Sequence, residues 1–244
     1  MMSEMYDAIF KRKSMRAFEL TLGEDALFEV RRQAGRLVPL IRDINVKIEI
    51  VPRAETTAKF GEYCMLFYSE KTPGYLLNAG YMLEQMDLFL ALRDIGACWY
   101  GLAKTKRPKP AGMDYVIMVA FGQSKPEDFR HSVTEFKRMN TKDIWQGTFD
   151  PEVQEALRLA PSASNTQPWR VFGEGKRISV FRGTNLKTFL SAKLLPYFNT
   201  IDMGIALFIL ETALLEKGYR FDRTIKPDEA PDKGLVKVAE YRLL

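Results

Sequence analysis

The chain has 244 residues, 46% hydrophobic and 27% charged, with 36 lysines and arginines against 31 acids for a net charge of +5. That make-up fits an ordinary soluble globule, one large domain or two small interlocked ones with ample material for a core. Two cysteines, Cys64 and Cys98, give neither a zinc pattern nor a disulfide framework, and the single histidine, His131, lies in a polar stretch that reads as solvated loop and not as a catalytic imidazole.

Taken in order, the first residues already carry charge, which argues against a signal peptide. Glu24 to Leu37 reads as an amphipathic helix, and Val46–Val51 alternates like a strand. Tyr63–Tyr68 reads as a second strand. A long apolar helix is expected from Asn78 to Ile95, with Asn78 as N-cap and Gly96 as its stop. Tyr115–Phe121 reads as a buried strand, and Lys137–Thr148 as a linker. Pro151–Leu159 is a short helix capped by Asp150. Trp169–Phe172 and Arg177–Phe181 are strand-like, Asn199–Lys217 is a second long apolar helix closed by Gly218, and Val236–Tyr241 is a final strand.

The two halves thus repeat one order of elements. An offset of about 122 positions superposes Leu88 on Leu210, Ala91 on Ala213, Gly96 on Gly218 and Val116 on Val238. A duplicated chain is expected, with residues 1–147 as the first half and 148–244 as the second, intertwined in one globular unit. Acids and an arginine within the long helices (Glu84, Asp87, Arg93; Asp202, Glu211) argue against membrane spans. Two core helices packed on each other are expected instead, and a reducing cytoplasm is the expected compartment.

Three segments carry chemistry. Lys11-Arg12-Lys13-Ser14-Met15-Arg16 gathers cations around a hydroxyl, a set suited to a phosphate or a ring carbonyl. Ala160-Pro161-Ser162-Ala163-Ser164-Asn165-Thr166-Gln167-Pro168-Trp169 is a proline-broken loop of small residues that leaves room for a close ligand. Asp94-Ile95-Gly96-Ala97-Cys98-Trp99-Tyr100-Gly101-Leu102 places two glycines five apart, where amides can face a ligand edge. Cys98 lacks a neighbouring histidine and reads as a small buried hydrophobe. The run Lys104-Thr105-Lys106-Arg107-Pro108-Lys109 is either a solvated loop or a patch for an anionic dinucleotide. No finger, helix–turn–helix or aromatic platform accompanies the charge, so no nucleic-acid partner is expected.

Together these segments resemble the nitroreductase family of flavoproteins. Lys11–Phe18 is similar to that family's Arg-x-Ser-x-Arg/Lys motif, and Pro161–Trp169 to its Pro-Ser-x-x-Asn-x-Gln-Pro-Trp loop. The resemblance implies an α+β, three-layer α/β/α sandwich, here as two degenerate repeats fused into a pseudo-dimer that can stand as a monomer. In the family each flavin lies between subunits, whereas here the arginine motif and the Pro-Ser loop occur once each, in opposite halves. One complete site per chain is therefore implied.

By the same resemblance Arg12, Lys13, Ser14 and Arg16 hold the FMN phosphate and pyrimidine edge, with Lys137 or Arg138 adding to the phosphate grip. Pro161, Ser162, Ala163 and Asn165 belong to the wall beside the ring, and the amides near Tyr100, Gly101 and Leu102 approach it. No catalytic side chain and no metal is implied. The expected activity is FMN-dependent reduction of nitroaromatics, quinones or a similar flat small-molecule acceptor, driven by NAD(P)H. Two alternatives stay open: a flavin carrier or sensor with little turnover, and a flavin-free basic binding module.

Overall fold

The computed structural model describes residues 2–244 except 185, 187, 189 and 228. It opens with α1 (Met2–Lys11) and α2 (Glu24–Ala34), then β1 (Val46–Pro52), β2 (Tyr63–Ser69), α3 (Tyr75–Ala91), β3 (Ile95–Tyr100) and β4 (Asp114–Gln123). A short α4 (Thr141–Ile144) and a two-residue β5 (Trp145–Gln146) follow. The rest comprises α5 (Pro151–Arg158), β6 (Trp169–Glu174), β7 (Arg177–Gly183), α6 (Leu195–Glu216), β8 (Phe221–Ile225) and β9 (Leu235–Leu243).

Two sheets result, one ordered β1-β2-β4-β3 and the other β5-β6-β7-β9-β8. All pairings are antiparallel except β5 on β6. The last four strands of the second sheet therefore follow the same first-second-fourth-third order as the first sheet. The likeness extends to a register shift: it falls between Phe67 and Tyr68 where β2 meets β4, and between Val180 and Phe181 where β7 meets β9. The expected linker is not plain coil, because it supplies α4 and then β5, which joins the second sheet.

Period-two side-chain alternation explains the near-continuous apolar runs of β2 and β4. Met65 and Phe67 on β2, with Ile117, Val119 and Phe121 on β4, enter one large core together with α3 and α6. Cys64, Leu66 and Tyr68, with Met118 and Ala120, face the other way into a smaller cluster. That outer cluster is closed by Ala58, Phe60 and Ala103 from loops, so coil stands there in place of the outer helical layer of an α/β/α stack. Residues of β6, β7 and β9 reach the large core from the second sheet.

α3 and α6 meet at two glycines. A Cβ on Gly80 would fall 1.9 Å from the Ile201 carbonyl oxygen, and one on Gly204 would fall 2.0 Å from that of Leu77. The contact is reciprocal, and it relates positions 124 apart rather than 122. The helix ends agree: Asp94 (φ 55°) and Gly218 (φ 79°) are the left-handed residues that follow them. The pair Tyr115 and Lys237, at the register shifts, keeps the offset of 122. Two expectations fall with this. Gly96 does not stop α3 but lies in β3, and Asn78 does not cap it but sits buried in its first turn, where its Oδ1 accepts from the Leu40 and Ile41 amides at 2.8 and 3.2 Å. Gly74, at φ 87°, precedes the helix. The other cap is as expected, with Asp150 accepting from Glu152 N at 2.9 Å.

α6 alone among the described helices is long and apolar enough to cross a membrane, and 89% of its most apolar stretch is buried inside the protein.

Candidate functional site

The leading basic segment docks on a sheet edge. β3 is the outer strand of its sheet, and Ser14 bridges it in parallel at Ala97, with Met15 N donating to Ala97 O at 2.9 Å. Gly96 makes this possible, since a Cβ there would lie 2.6 Å from the Met15 side chain. Ser14 is left half-buried and Arg16 exposed, whereas Arg12, just before the bridge, is only 2% exposed.

Asp87 on α3 fixes this arrangement. Its Oδ2 lies 3.1 Å from Arg12 Nε and accepts from the Trp99 indole at 2.9 Å, tying the basic segment and β3 to one helix. Arg12 also donates to Ser14 Oγ at 3.2 Å, which orients that hydroxyl. Beside it on the same helix, Glu84 has neither carboxylate oxygen partnered, and burial and Asp87 push its carboxyl well above the usual range. Burial and repulsion from Arg12, Arg130 and Arg158 lower Arg138 to about 9.

The Pro-Ser loop is held in an uncommon backbone. Ser164, Asn165 and Gln167 all have left-handed φ, at 53°, 56° and 49°. Such residues cost about 1–3 kcal/mol each and persist where their surroundings over-determine them. Those surroundings are visible here. Ser162 Oγ accepts from Gln167 N at 2.9 Å, and Gln167 Oε1 accepts from Met139 N at 2.7 Å. Asn165 donates to Lys137 O at 2.9 Å and accepts from Arg138 at 2.8 Å. Arg138 donates further to Ala160 O at 3.0 Å. From below, Asp202 on α6 accepts from Ala163 N at 3.0 Å.

Between the docked strand and this loop opens a cavity of about 350 Å³. Ser14 and Arg16 line one flank, Pro161, Ser162 and Ala163 the other, and Tyr100, Gly101 and Leu102 an edge. Gly101 is required for its shape, because a Cβ there would stand 2.6 Å from the ring of Phe198, another lining residue. Ile117, Ile201 and Ile205 make apolar walls. Arg16 is exposed and, among the described residues, makes no hydrogen bond or ion pair. Cys98 also faces the cavity, but burial pushes its thiol up, as suits a packed hydrophobe and not a nucleophile.

Five expected contacts are not in the lining. Arg12 is committed to Asp87 and Ser14, and Lys13 donates to Asp128 O at 2.8 Å on the surface. Lys137 offers only its carbonyl, and Arg138 and Asn165 brace the loop from behind. These residues build the site without facing it. The basic run 104–109 is not an open cationic patch either. Lys106 donates to Ala54 O at 2.8 Å, Arg107 pairs with Glu55 at 2.8 Å, and Lys109 pairs with Asp114. Sequence reading missed Asp202 and Phe198 as lining residues; an acid within an otherwise apolar helix was the available signal for the first.

The family model described as "Putative TM nitroreductase" matches residues 4–214, which span both flanks of the cavity. The chain belongs to this nitroreductase family. A structure titled as a putative nitroreductase from Thermotoga maritima is similar over 98% of this chain and 92% of its own, at 20% identity and a TM-score of 0.65, which supports the fold. A nitroreductase family protein from Clostridium novyi NT aligns with 51% of this chain and 87% of its own, at 16% identity and a TM-score of 0.40. A structure titled putative NADH dehydrogenase/NAD(P)H nitroreductase, from Parabacteroides distasonis, aligns with 60% and 99% at 14% identity and a TM-score of 0.44. No curated protein matches the chain.

Proposed function

We propose that this nitroreductase-family chain is an FMN-dependent oxidoreductase that takes electrons from NAD(P)H and passes them to a nitroaromatic, a quinone or a similar flat acceptor. One observation carries the reading: Ser14 and Arg16 from the leading segment and Pro161–Ala163 from the trailing loop line a single cavity. The donor set fits a flavin. A cation without a protein partner stands at one flank, small residues at the other, and apolar walls between them suit a flat ring.

When bound, FMN supplies hydride chemistry that this chain's side chains do not. The chain's own part is positional and electrostatic. Arg16 binds an anionic or carbonyl group of the cofactor, and Ser14, oriented by Arg12, adds a neutral donor. Ile117, Ile201 and Ile205 give a flat ring an apolar bed, while Arg16 meets its group at the exposed flank. The rigid Pro-Ser loop holds its face of the cavity without rearrangement.

The fused pseudo-dimer belongs to the same proposal. Support comes from the shared strand order, the matching register shifts and the reciprocal Gly80 and Gly204 contacts. Residues 1–147 and 148–244 are its halves, each contributing one flank, and the monomer in a cytoplasmic setting is the working unit. The test is anaerobic: purified protein loaded with FMN is mixed with NADH or NADPH, and absorbance near the flavin bands is followed. Bleaching by either nicotinamide, then recovery on adding a nitroaromatic or a quinone, is expected. Failure of both nicotinamides to bleach bound flavin contradicts the reading.

A further inference from the structure

One buried oxygen among the residues that line the cavity has no partner. Asp202 is 3% exposed, and it enters the cavity wall from α6. Its Oδ1 is occupied by Ala163 N, whereas its Oδ2 has no hydrogen-bond partner in the protein. A buried polar atom without a partner is costly, and natural proteins seldom keep one unless something else meets it. The corresponding residue of α3, 124 positions earlier, is Asn78, whose amide has partners at both ends within the protein: Oδ1 accepts from two loop amides and Nδ2 donates to Ile41 O. Only the helix that borders the cavity carries an acid at this place.

We infer that Asp202 is a specificity-determining residue of the cavity, a protonated carboxyl whose Oδ2 donates a hydrogen bond to an acceptor atom of the bound flavin. The inference rests on the function proposed above. Three observations support the protonated form. The carboxyl is 3% exposed in a wall it shares with Phe198, Ile201 and Ile205, so an isolated charge there is expensive. The titratable groups sharing the cavity lining are Arg16, Cys98 and Tyr100, and none of them is bonded to Asp202. Burial outweighs the Ala163 amide and the nearby Thr166 hydroxyl, whose proton goes to Asn199 Oδ1 at 2.9 Å, and raises the group to about 8, so that it holds its proton at neutral pH.

The sign of the effect follows. Below about pH 8 the carboxyl is neutral and donates; above it the carboxylate only accepts and repels an anionic ligand. Asp202→Asn keeps an oxygen for Ala163 N and a permanent N–H donor for the ligand, so it mimics the protonated state at every pH. The experiment is a fluorescence titration of FMN into flavin-free wild type and Asp202→Asn from pH 7 to 9, a range in which the phosphate of FMN is already largely doubly charged. A thermal melt of each sample at each pH accompanies it.

For wild type, Kd rises about tenfold across that range, the change in the fraction protonated for a group titrating near 8. For Asp202→Asn it stays flat and near the wild-type value at pH 7. The wild-type profile stands even if the variant folds poorly. FMN bound with the same flat profile in wild type overturns this inference alone. Absence of FMN binding by folded wild type at every pH overturns the proposed function, and this inference with it.

Discussion

Asp87 joins the most consequential pair of contacts beneath the cavity. It and Arg12 are each 2% exposed, and the same oxygen meets Trp99. Removing one partner of a buried ion pair leaves an uncompensated charge, typically at a cost of about 3–5 kcal/mol. Asp87→Ala is therefore expected to lose about that much in denaturant unfolding. Asp87→Leu combined with Arg12→Met is expected to recover much of it, because a buried pair replaced by apolar groups is often neutral. Equal losses in single and double variants would show that the pair itself, rather than an orphaned charge, carries the stability. Sequence alone pointed to Arg12 as a ligand group for a reason visible at this scale: a guanidinium is drawn the same way whether it meets a phosphate or a carboxylate. Asp87, 75 positions away, decides the matter, and no local pattern links the two.

At the scale of elements, legibility followed burial and periodicity. β1, β2, β4 and α5 formed within a few residues of their expected bounds because alternation and proline or aspartate caps are local signals. α3 began earlier than expected because Gly74 in a left-handed turn, and not Asn78, sets its start. Asn78 instead serves a loop 37 and 38 residues back, a tertiary role that looks like a cap in sequence. β8 and α1 carried weak patterns and went unassigned. Gly80 of α3 and Gly204 of α6 let two backbones touch. Gly204→Ala places a methyl about 2.0 Å from Leu77 O, so the helices must part. We expect a loss of about 3 kcal/mol in unfolding free energy, toward the upper end for overpacking, with a lowered Tm in calorimetry. A neutral or stabilising result, as for alanine in an open helix, would mean that the helices do not pack this closely.

On the scale of the whole molecule, two sheets of like order enclose one pair of helices, yet a cavity with both a free cation and a small-residue wall forms on one side. On the other side Glu211, 124 positions after Asp87, accepts from the hydroxyls of Tyr81 and Tyr241 at 2.8 and 2.7 Å and pairs with Arg223, an acid enclosed by aromatic and cationic side chains as Asp87 is by Trp99 and Arg12. The one-sided placing of the cavity was readable in outline, since the two motifs occur once each and in opposite halves. Which side chains face the cavity was not, because Arg12, Ser14 and Arg16 look alike in a local motif and only the distant Asp87 draws Arg12 into the interior. The account stands or falls on one titration of FMN into flavin-free wild type and Arg16→Ala, read as flavin fluorescence with the ratio of sites to chains. It predicts one site per chain and an affinity at least tenfold weaker in the variant, as for the loss of a charged hydrogen bond of about 1.5–3 kcal/mol. Two sites per chain, or unchanged affinity in Arg16→Ala, would contradict it.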